Sequence, residues 1–293
     1  MANHRFYIVD VFAEKKYAGN QLAVFVDRGD LSDAEMQDLA REMHFSETTF
    51  VVPERQPDGG YAVRIFTPAT ELSFAGHPTL GTAFVIRNEI IRTADPVVLL
   101  NEKVGQIPVT FRGDIVWMHQ KPPTFGAPLD AQVCAATLGV PPEGIDDRFP
   151  IQVVSTGLPF VIAPLKSLAA VQRAKPNWDK YVVSNRAETP RAILLFSPET
   201  LDTANQLHAR VFVDEVGVPE DPATGSANGC LAGYLVKYRY FAKPQIDVRV
   251  EQGYEIDRPS LLFLQAQDQG QAIDVHVGGR VVMVAKGEFI QAP

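Results

Sequence analysis

The chain has 293 residues, of which 46% are hydrophobic and 21% charged, and its formal net charge is -8. This length suits two domains of roughly 150 residues, with one large domain as the alternative. The composition is that of an ordinary globular protein, and no apolar run is long enough to cross a membrane. The negative charge and the lack of a basic cluster argue against nucleic acid as a partner.

Short alternating segments predict a protein dominated by strands. They are residues 6–12, 22–26, 61–66, 97–100, 115–118, 192–196, 261–264 and 280–284. A capping box from Ser32 to Glu35 predicts a surface helix that ends near Met43. Small or apolar residues surround a second helix over residues 77–86, so strands should enclose it.

A polar stretch from Glu220 to Gly229 precedes a third helix, which we expect to begin near Ser226 with Thr224 or Ser226 as its cap. The first turn of a helix carries unpaired N–H groups and a partial positive charge, and Gly225 would let an anion approach the main chain closely. The stretch therefore predicts a binding site for a carboxylate or phosphate. An ordinary capped helix is the alternative.

The two enclosed helices indicate an internal duplication. Residues 64–66, Arg-Ile-Phe, precede the helix that starts at Gly76-His-Pro, and residues 210–212, Arg-Val-Phe, precede the one that starts at Gly225-Ser-Ala. Two like domains follow, each a strongly bent sheet wrapped on a central helix, with a crossover near residues 121–126. If the domains face one another about a pseudo-twofold axis, the two helix starts meet in a cleft.

Three groups of residues suit acid–base chemistry. Glu47 shares its strand face with small and apolar neighbours; burial raises the pKa of a carboxyl and suits it to proton exchange near neutrality, while a solvated face is the alternative. His77 should be mostly neutral at the positive start of its helix, unless it only caps that helix. In the expected cleft Asp221 would face both across a bound molecule, which suits removal of a proton at one carbon and its return at another.

Other chemistries lack their motifs. The six histidines are scattered, so no metal site is predicted, and the nucleotide-binding and serine-hydrolase motifs are missing. Cys134 and Cys230 offer no disulfide framework, which suits a reducing compartment. Because the N-terminal residues also lack a signal-peptide pattern, we expect a cytoplasmic protein.

Several motifs, taken in order, resemble the PhzF-like (phenazine biosynthesis-like) isomerase family. They are Val9–Phe12 with Gly19-Asn20, Phe45–Thr48, Thr67-Pro68 with Glu71 and Ala75–Pro78, Asp221–Ser226, and the closing run Val277–Val284. The resemblance implies the diaminopimelate-epimerase fold, an α+β architecture of two pseudo-symmetric domains, each a barrel-like sheet wrapped around a central helix. It assigns residues 1–120 and about 278–293 to the N-terminal domain, and residues 121–277 to the C-terminal domain.

The resemblance also implies a cofactor-free, commonly homodimeric isomerase that moves a proton within a small carboxylate-bearing acid, amino- or hydroxy-substituted and cyclic or unsaturated. Glu47 matches the residue that shuttles the proton. The groups that orient the substrate and assist the transfer match His77, Asp221 and Ser226. The expected substrate-binding residues are Asn20, Gly76, Thr224 and Gly225, the two glycines acting through main-chain N–H groups.

Two alternatives remain: a binding protein that kept the cleft but lost the chemistry, and a cysteine-dependent epimerase. Related epimerases and racemases use paired thiols at the two helix starts, where this chain has residues 75–77 and 221–226 without cysteine. Cys230 lies about one turn inside its helix, and both Cys134 and Cys230 are predicted to be core residues. The two-thiol mechanism is therefore disfavoured.

Overall fold

The computed structural model describes residues 3–27, 29–180, 190–214 and 218–290. Contacts between Cα atoms divide the chain into two compact units: unit 1 comprises Met1–His119 with Gly278–Pro293, and unit 2 comprises Gln120–Val277. Many strands and few helices give a mixed α and β fold, as predicted. In the described ranges no helix has the length and apolar character that a membrane crossing requires.

Unit 1 is built on a continuous run of paired strands. They are β1 (Asn3–Val11), β2 (Asn20–Val26), β3 (Glu47–Val51), β4 (Tyr61–Phe66), β5 (Glu71–Leu72), β6 (Val97–Glu102), β7 (Gly105–Arg112), β8 (Ile115–His119) and β18 (Val281–Ile290). The strands pair in the order β18, β1, β2, β3, β4, β6, β7, β8, and β5 pairs back on β4. The pairs β2–β3 and β4–β6 are parallel and the others antiparallel.

Two helices of unit 1 lie on opposite faces of these strands. Helix α1 (Asp33–Met43) begins with the predicted capping box and packs on β3 and β4. Helix α2 (Gly76–Val85) continues into a π-helical turn (Ile86–Ile90) and contacts β1, β2, β3, β6, β7, β8 and β18. The strands therefore wrap around α2, as its small and apolar residues predicted.

Unit 2 repeats this plan. Its strands are β9 (Thr124–Pro128), β10 (Gln152–Ser155), β11 (Pro159–Pro164), β12 (Ala192–Ser197), β13 (Leu207–Val213), β14 (Val218–Asp221), β15 (Gln245–Gln252), β16 (Ser260–Asp268) and β17 (Ile273–Gly279). Its helices are α3 (Ala131–Leu138), α4 (Leu168–Arg173) and α5 (Gly225–Lys237), with 3-10 turns at Pro142–Gly144 and Tyr254–Ile256. Helix α5 packs against β10, β11, β12, β15 and β16.

The pairing pattern confirms the duplication inside the two units. In unit 2 the strands pair in the order β9, β10, β11, β12, β13, β15, β16, with β14 paired back on β13. The parallel pairs are β11–β12 and β13–β15, at the positions that β2–β3 and β4–β6 hold in unit 1. Each enclosed helix follows the short strand that pairs back. The two units are therefore pseudo-symmetric.

A repeated ion pair supports the same conclusion. Arg64 on β4 forms two hydrogen bonds with Glu71 on β5, and Arg210 on β13 forms two with Glu220 on β14. Each guanidinium also lies over the phenylalanine ring two residues further on. Both arginines belong to the repeated Arg-x-Phe segments, and each fixes the short strand that leads to an enclosed helix.

Candidate functional site

Glu47 opens β3 on the face that contacts α2. Thr49, two residues further along the same face, shares a hydrogen bond with Thr82 of α2, with 2.8 Å between the hydroxyl oxygens. Oε2 of Glu47 lies 3.5 Å from Nε2 of His77, and the Glu47 side chain is 17% exposed. The carboxyl thus lies beside the start of a buried helix and not on a solvated strand face.

His77, the second residue of α2, holds its imidazole in a neutral form. Burial lowers the pKa of His77 to about 3, although a hydrogen bond to the main chain of Gln21 opposes this effect. A hydrogen bond favours the charged imidazole when a ring N–H donates to the main-chain carbonyl, here that of Gln21. Nε2 has no hydrogen-bond partner within the described residues, so Nδ1 donates to Gln21 and Nε2 carries the lone pair near Glu47.

Glu47 and His77 can share a proton, but that proton must come from elsewhere, because the neutral imidazole has no hydrogen on Nε2. A lone pair on Nε2 and an ionised carboxyl cannot hydrogen-bond to each other. A proton taken up by Glu47 would lie within reach of Nε2, because the two atoms are 3.5 Å apart. The geometry therefore favours a carboxyl that receives a proton from outside and holds it next to a neutral acceptor.

The first turn of α2 presents main-chain donors beside this pair. The helix begins at Gly76, and Ala75, the residue before it, gives no side-chain cap. The third residue, Pro78, has no N–H, so the leading donors are the N–H groups of Gly76 and His77. With the positive end of the helix dipole, they make this turn suitable for a carboxylate.

Asn20 is fixed by a turn that only glycine allows. Gly19, the residue before it, has a φ of 68°, and a Cβ there would lie 2.3 Å from the carbonyl oxygen of Val11. Asn20 itself is buried at the start of β2, opposite Val11. The next residue is Gln21, whose main chain holds His77, so Asn20 is one residue away from that anchor.

In unit 2, helix α5 begins at Gly225, one residue before the predicted start, and Ser226 is buried in its first turn. Thr224 occupies the cap position but makes no side-chain cap. Its hydroxyl instead donates to Oδ2 of Asp221 over 2.5 Å. Thr224 is thus the cap residue, one of the two predicted, but its hydroxyl makes no hydrogen bond to the first turn of the helix.

Gln252 and Asn228 fix this turn from within the unit. Gln252, the last residue of β15, is buried and donates from Nε2 to the carbonyl of Asp221 over 2.8 Å. Its Oε1 accepts from Nδ2 of Asn228 over 2.8 Å, and the same amide donates to the carbonyl of Thr224 over 3.1 Å. Neither residue was predicted from the sequence, because these contacts join segments that are distant in the chain.

The predicted residues are thus divided between the units. Unit 1 holds Asn20, Glu47, Gly76 and His77, and unit 2 holds Asp221, Thr224, Gly225 and Ser226. The structure brings Glu47 next to His77, and Asp221 into contact with Thr224. Glu47 and His77 offer two ligand atoms where a protein-held zinc ion takes three or four, so the pair alone does not make a metal site.

The two cysteines are buried, as predicted. Burial raises the pKa of Cys230 to about 11 and that of Cys134 to about 12. Cys230 lies within α5, where its Sγ is 3.5 Å from the carbonyl oxygen of Leu158. Because the thiolate is the reactive form, these surroundings disfavour a cysteine-dependent epimerase.

A family model described as "Phenazine biosynthesis-like protein" (PhzC-PhzF) matches residues 9–287. The chain belongs to this family. A relative from Pseudomonas aeruginosa, named trans-2,3-dihydro-3-hydroxyanthranilate isomerase, is 36% identical over 97% of this chain and 98% of its own length. The chain is accordingly an isomerase of the PhzF family.

Solved structures show the same fold. The phenazine biosynthesis protein of the PhzF family from Bacillus anthracis superposes with a TM-score of 0.90 and 26% identity, covering 99% of this chain and all (100%) of that one. A hydroxyproline epimerase from Agrobacterium vitis gives a TM-score of 0.65 at 11% identity, covering 99% of this chain and 91% of that one. The second likeness concerns the fold alone, and it confirms the predicted epimerase-like architecture.

Proposed function

We propose that this PhzF-family isomerase moves a proton between two carbons of a small carboxylate-bearing acid, without a cofactor and with Glu47 as the proton carrier. The observation that carries the proposal is the mostly buried Glu47 carboxyl, 3.5 Å from the neutral imidazole of His77 at the start of α2. A carboxyl is a suitable general base when ionised and a general acid once it holds the proton.

The proposed step balances without an oxidant or reductant. Ionised Glu47 takes a proton from one carbon of the substrate, and the electron pair of the broken C–H bond moves into the adjoining unsaturated system. Glu47 then returns the proton to a different carbon of that system, and a new C–H bond forms there. His77, kept neutral by burial, accepts a hydrogen bond from the protonated carboxyl between the two transfers.

The remaining predicted residues are proposed to bind and orient the substrate. Main-chain N–H groups at Gly76 and Gly225 would receive carboxylate oxygens, because each glycine opens an enclosed helix. The side chains proposed to contact the rest of the substrate are Asn20, Asp221, Thr224 and Ser226. We also propose residues 1–120 with about 278–293 and residues 121–277 as the two domains of the enzyme.

The substrate class follows from the chemistry and from the relatives. Trans-2,3-dihydro-3-hydroxyanthranilate, in the name of the Pseudomonas aeruginosa relative, is a cyclic unsaturated acid that carries an amino and a hydroxyl group. We propose that this chain acts on an acid of the same class. We also propose a cytoplasmic homodimer, which the molecular mass in solution tests.

Solvent deuterium tests the proposed reaction directly. The protein is incubated in deuterated water with trans-2,3-dihydro-3-hydroxyanthranilate and related cyclic amino or hydroxy acids, and the recovered acids are examined by mass spectrometry and NMR. We expect deuterium on carbon, because a proton held by a carboxyl exchanges with water. A rise in melting temperature with an acid, but neither label nor isomer, would identify a binding protein and overturn the proposal.

A further inference from the structure

A second buried carboxyl in unit 1 lies one hydrogen bond away from the start of α2. Glu102, the last residue of β6, is 7% exposed, and its Oε1 lies 2.7 Å from the hydroxyl oxygen of Thr79. The same hydroxyl oxygen lies 2.7 Å from the carbonyl oxygen of Ala75. Ala75 directly precedes Gly76 and His77, so this chain of contacts ends at the proposed substrate-binding turn.

The number of hydrogen atoms available to the Glu102–Thr79–Ala75 contacts determines the protonation state of Glu102. The Thr79 hydroxyl carries one hydrogen, whereas an ionised Glu102 and the Ala75 carbonyl are both acceptors only. With Glu102 ionised, one of the two 2.7 Å contacts would have no hydrogen between its oxygens. With Glu102 protonated, the carboxyl donates to Thr79 and Thr79 donates to Ala75. Both distances are then ordinary for O–H···O bonds.

Unit 2 has the same arrangement built from neutral side chains. Asn228 is the fourth residue of α5, as Thr79 is the fourth of α2, and it donates to the carbonyl of the cap residue Thr224. It also donates to Gln252, which ends β15 as Glu102 ends β6. An amide nitrogen carries two hydrogens and serves both acceptors alone. The Thr79 hydroxyl carries only one hydrogen, so in unit 1 the second hydrogen must come from Glu102.

The surroundings of Glu102 favour the same state. Its Oε2 is buried and has no hydrogen-bond partner within the described residues, so ionisation would leave a poorly compensated charge. Burial raises the pKa of Glu102 to about 7, although hydrogen bonding with Thr79, which can donate to the ionised carboxyl, opposes this effect. The carboxyl thus titrates near neutrality, well above the usual range of a glutamate.

The nearby charged groups have other partners. Those on the elements packed against β6, or next to Glu102 in sequence, are Tyr61, Arg64, His77, Lys103 and Arg112. Arg64 and Lys103 both bond to Glu71, and Arg112 lies over the ring of Trp117. His77 is neutral, as described above. Burial and Thr79 therefore govern the titration of Glu102.

We propose that Glu102 is a positioning residue which, as a neutral acid, holds the Ala75–His77 turn in its substrate-binding geometry through Thr79 and releases that turn when it ionises. The role rests on the proposed function only in so far as the turn binds the substrate. The contacts predict a change of turn geometry above neutral pH whether or not a substrate is present.

Amide hydrogen exchange in the wild-type protein gives the first test. A peptide spanning residues 75–80 is followed by mass spectrometry between about pH 6 and about pH 9, with correction for the intrinsic exchange rate. We expect protection to fall roughly five- to tenfold, the effect of losing one net hydrogen bond. Constant protection over this range would overturn the proposal.

Two variants test the hydrogen-bond chain. In Glu102→Gln the side chain stays neutral and donates to Thr79, so protection of the turn should no longer depend on pH. In Thr79→Val the chain is broken, and protection should be low at every pH. Glu54→Gln, at an exposed carboxyl, and Thr137→Val, whose hydroxyl bonds to the Val133 carbonyl within α3, are the matched controls. A pH dependence in Glu102→Gln equal to that of the wild type would contradict the role of Glu102.

Infrared difference spectra identify the group that ionises. The C=O band of a protonated carboxyl should disappear between about pH 6 and about pH 9 in the wild type, and this difference should be missing in Glu102→Gln. If the band is lost equally in that variant, another carboxyl titrates and the proposal fails. If Glu102→Gln does not fold, amide exchange in the wild type and in Thr79→Val still tests the proposal.

These measurements need no substrate, so they separate failure of the positioning role from failure of the proposed isomerase reaction. With trans-2,3-dihydro-3-hydroxyanthranilate as the probe, the role makes one further prediction. The kcat/KM of the wild type should decline over the pH range in which protection falls, and that of Glu102→Gln should not. Parallel declines in both proteins would contradict a positioning role for Glu102 in turnover.

Discussion

Removal of water from around His77 destabilises the charged imidazole by more than the hydrogen bond to Gln21 stabilises it, and the ring is therefore neutral. The same physical effect acts in the opposite sense on Glu102, where burial also favours the neutral form but raises the pKa. The start of α2 thus lies near a neutral imidazole and a carboxyl that titrates near neutrality. Neutral His77 adds no positive charge, and protonated Glu102 adds no negative charge, to a turn that is proposed to bind a carboxylate.

The neutral state of His77 makes unit 1 sensitive to acid. The pKa of His77 falls from 6.5 to about 3 on folding. Between these pH values the imidazole is protonated in the unfolded chain and neutral in the folded protein. This contribution to stability is present above about pH 6.5 and is lost as the pH falls towards 3. The loss should be on the order of 3 kcal/mol by about pH 4.5.

Chemical denaturation at several pH values measures this contribution. The difference in unfolding free energy between wild type and His77→Asn should shrink as the pH falls from about 7 to about 4.5. His44→Asn is the control, since His44 is exposed and its left-handed backbone, with a φ of 54°, is tolerated by asparagine. A difference that stays constant with pH would show that folding does not lower the pKa of His77.

Local patterns made part of the site predictable at the residue scale. Glu47 could be inferred from the alternation along its strand, and His77 from its place between a glycine and a helix-starting proline. Glu102 could not, because its role depends on Thr79, 23 residues away in the chain. Gln252 reaches Asn228 across 24 residues. Aligning the two helix starts pairs Thr79 with Asn228, but it identifies neither Glu102 nor Gln252.

At the scale of elements, α2 is an enclosed helix whose packing depends on one glycine. A Cβ on Gly81 would lie 2.5 Å from Cδ2 of Leu22 and 2.9 Å from Cγ2 of Val11, both buried side chains of the surrounding strands. Real Cβ atoms do not come so close, so any larger residue would push the helix or the strands apart. Since α2 carries Gly76 and His77, such a shift would also move the proposed site.

Gly81→Ala should therefore destabilise unit 1. Alanine favours a helix by about 1 kcal/mol over glycine, but overpacking a tight core typically costs about 1–3 kcal/mol. The two contacts with Leu22 and Val11 indicate the upper part of the overpacking range, which leaves a net loss of roughly 1–2 kcal/mol. Denaturant midpoints measure the change. Gly144→Ala is the matched control, since its nearest neighbour would be Cβ of Ala170 at 3.7 Å. Equal stability of Gly81→Ala and wild type would mean that α2 is less tightly enclosed than described.

Elements with strong local signals were predictable, and others were not. The capping box of α1 specifies its start within four residues, and it is present in the structure. Strand β15 alternates buried apolar residues with exposed polar ones, including Asp247 and Arg249, and did not resemble the apolar segments assigned as strands. The start of α5 at Gly225 agrees with the predicted start near Ser226 and cap at Thr224, but local capping rules did not predict that the Thr224 hydroxyl bonds to Asp221.

For the whole molecule, the duplication was the most informative sequence feature. Two short apolar helices, each opened by a glycine and each preceded by Arg-x-Phe, predicted two like domains. The matched strand pairings inside the units confirm the pseudo-symmetric fold. The repeat preserves the hydrogen-bond scheme while changing its chemistry: unit 2 uses Gln252 and Asn228, and unit 1 uses Glu102 and Thr79. Glu47 and His77 supply the acid–base pair in unit 1.

The central claim is that the Glu47 carboxyl carries the proton, and turnover by Glu47→Gln tests it most directly. The assay measures isomerisation of trans-2,3-dihydro-3-hydroxyanthranilate, or of the acid that the deuterium experiment identifies, by wild type, Glu47→Gln and the exposed control Glu54→Gln. We expect Glu47→Gln to lose about 10²–10⁴-fold in kcat while folding and still binding the acid, and Glu54→Gln to match the wild type. Full activity in Glu47→Gln would contradict the account.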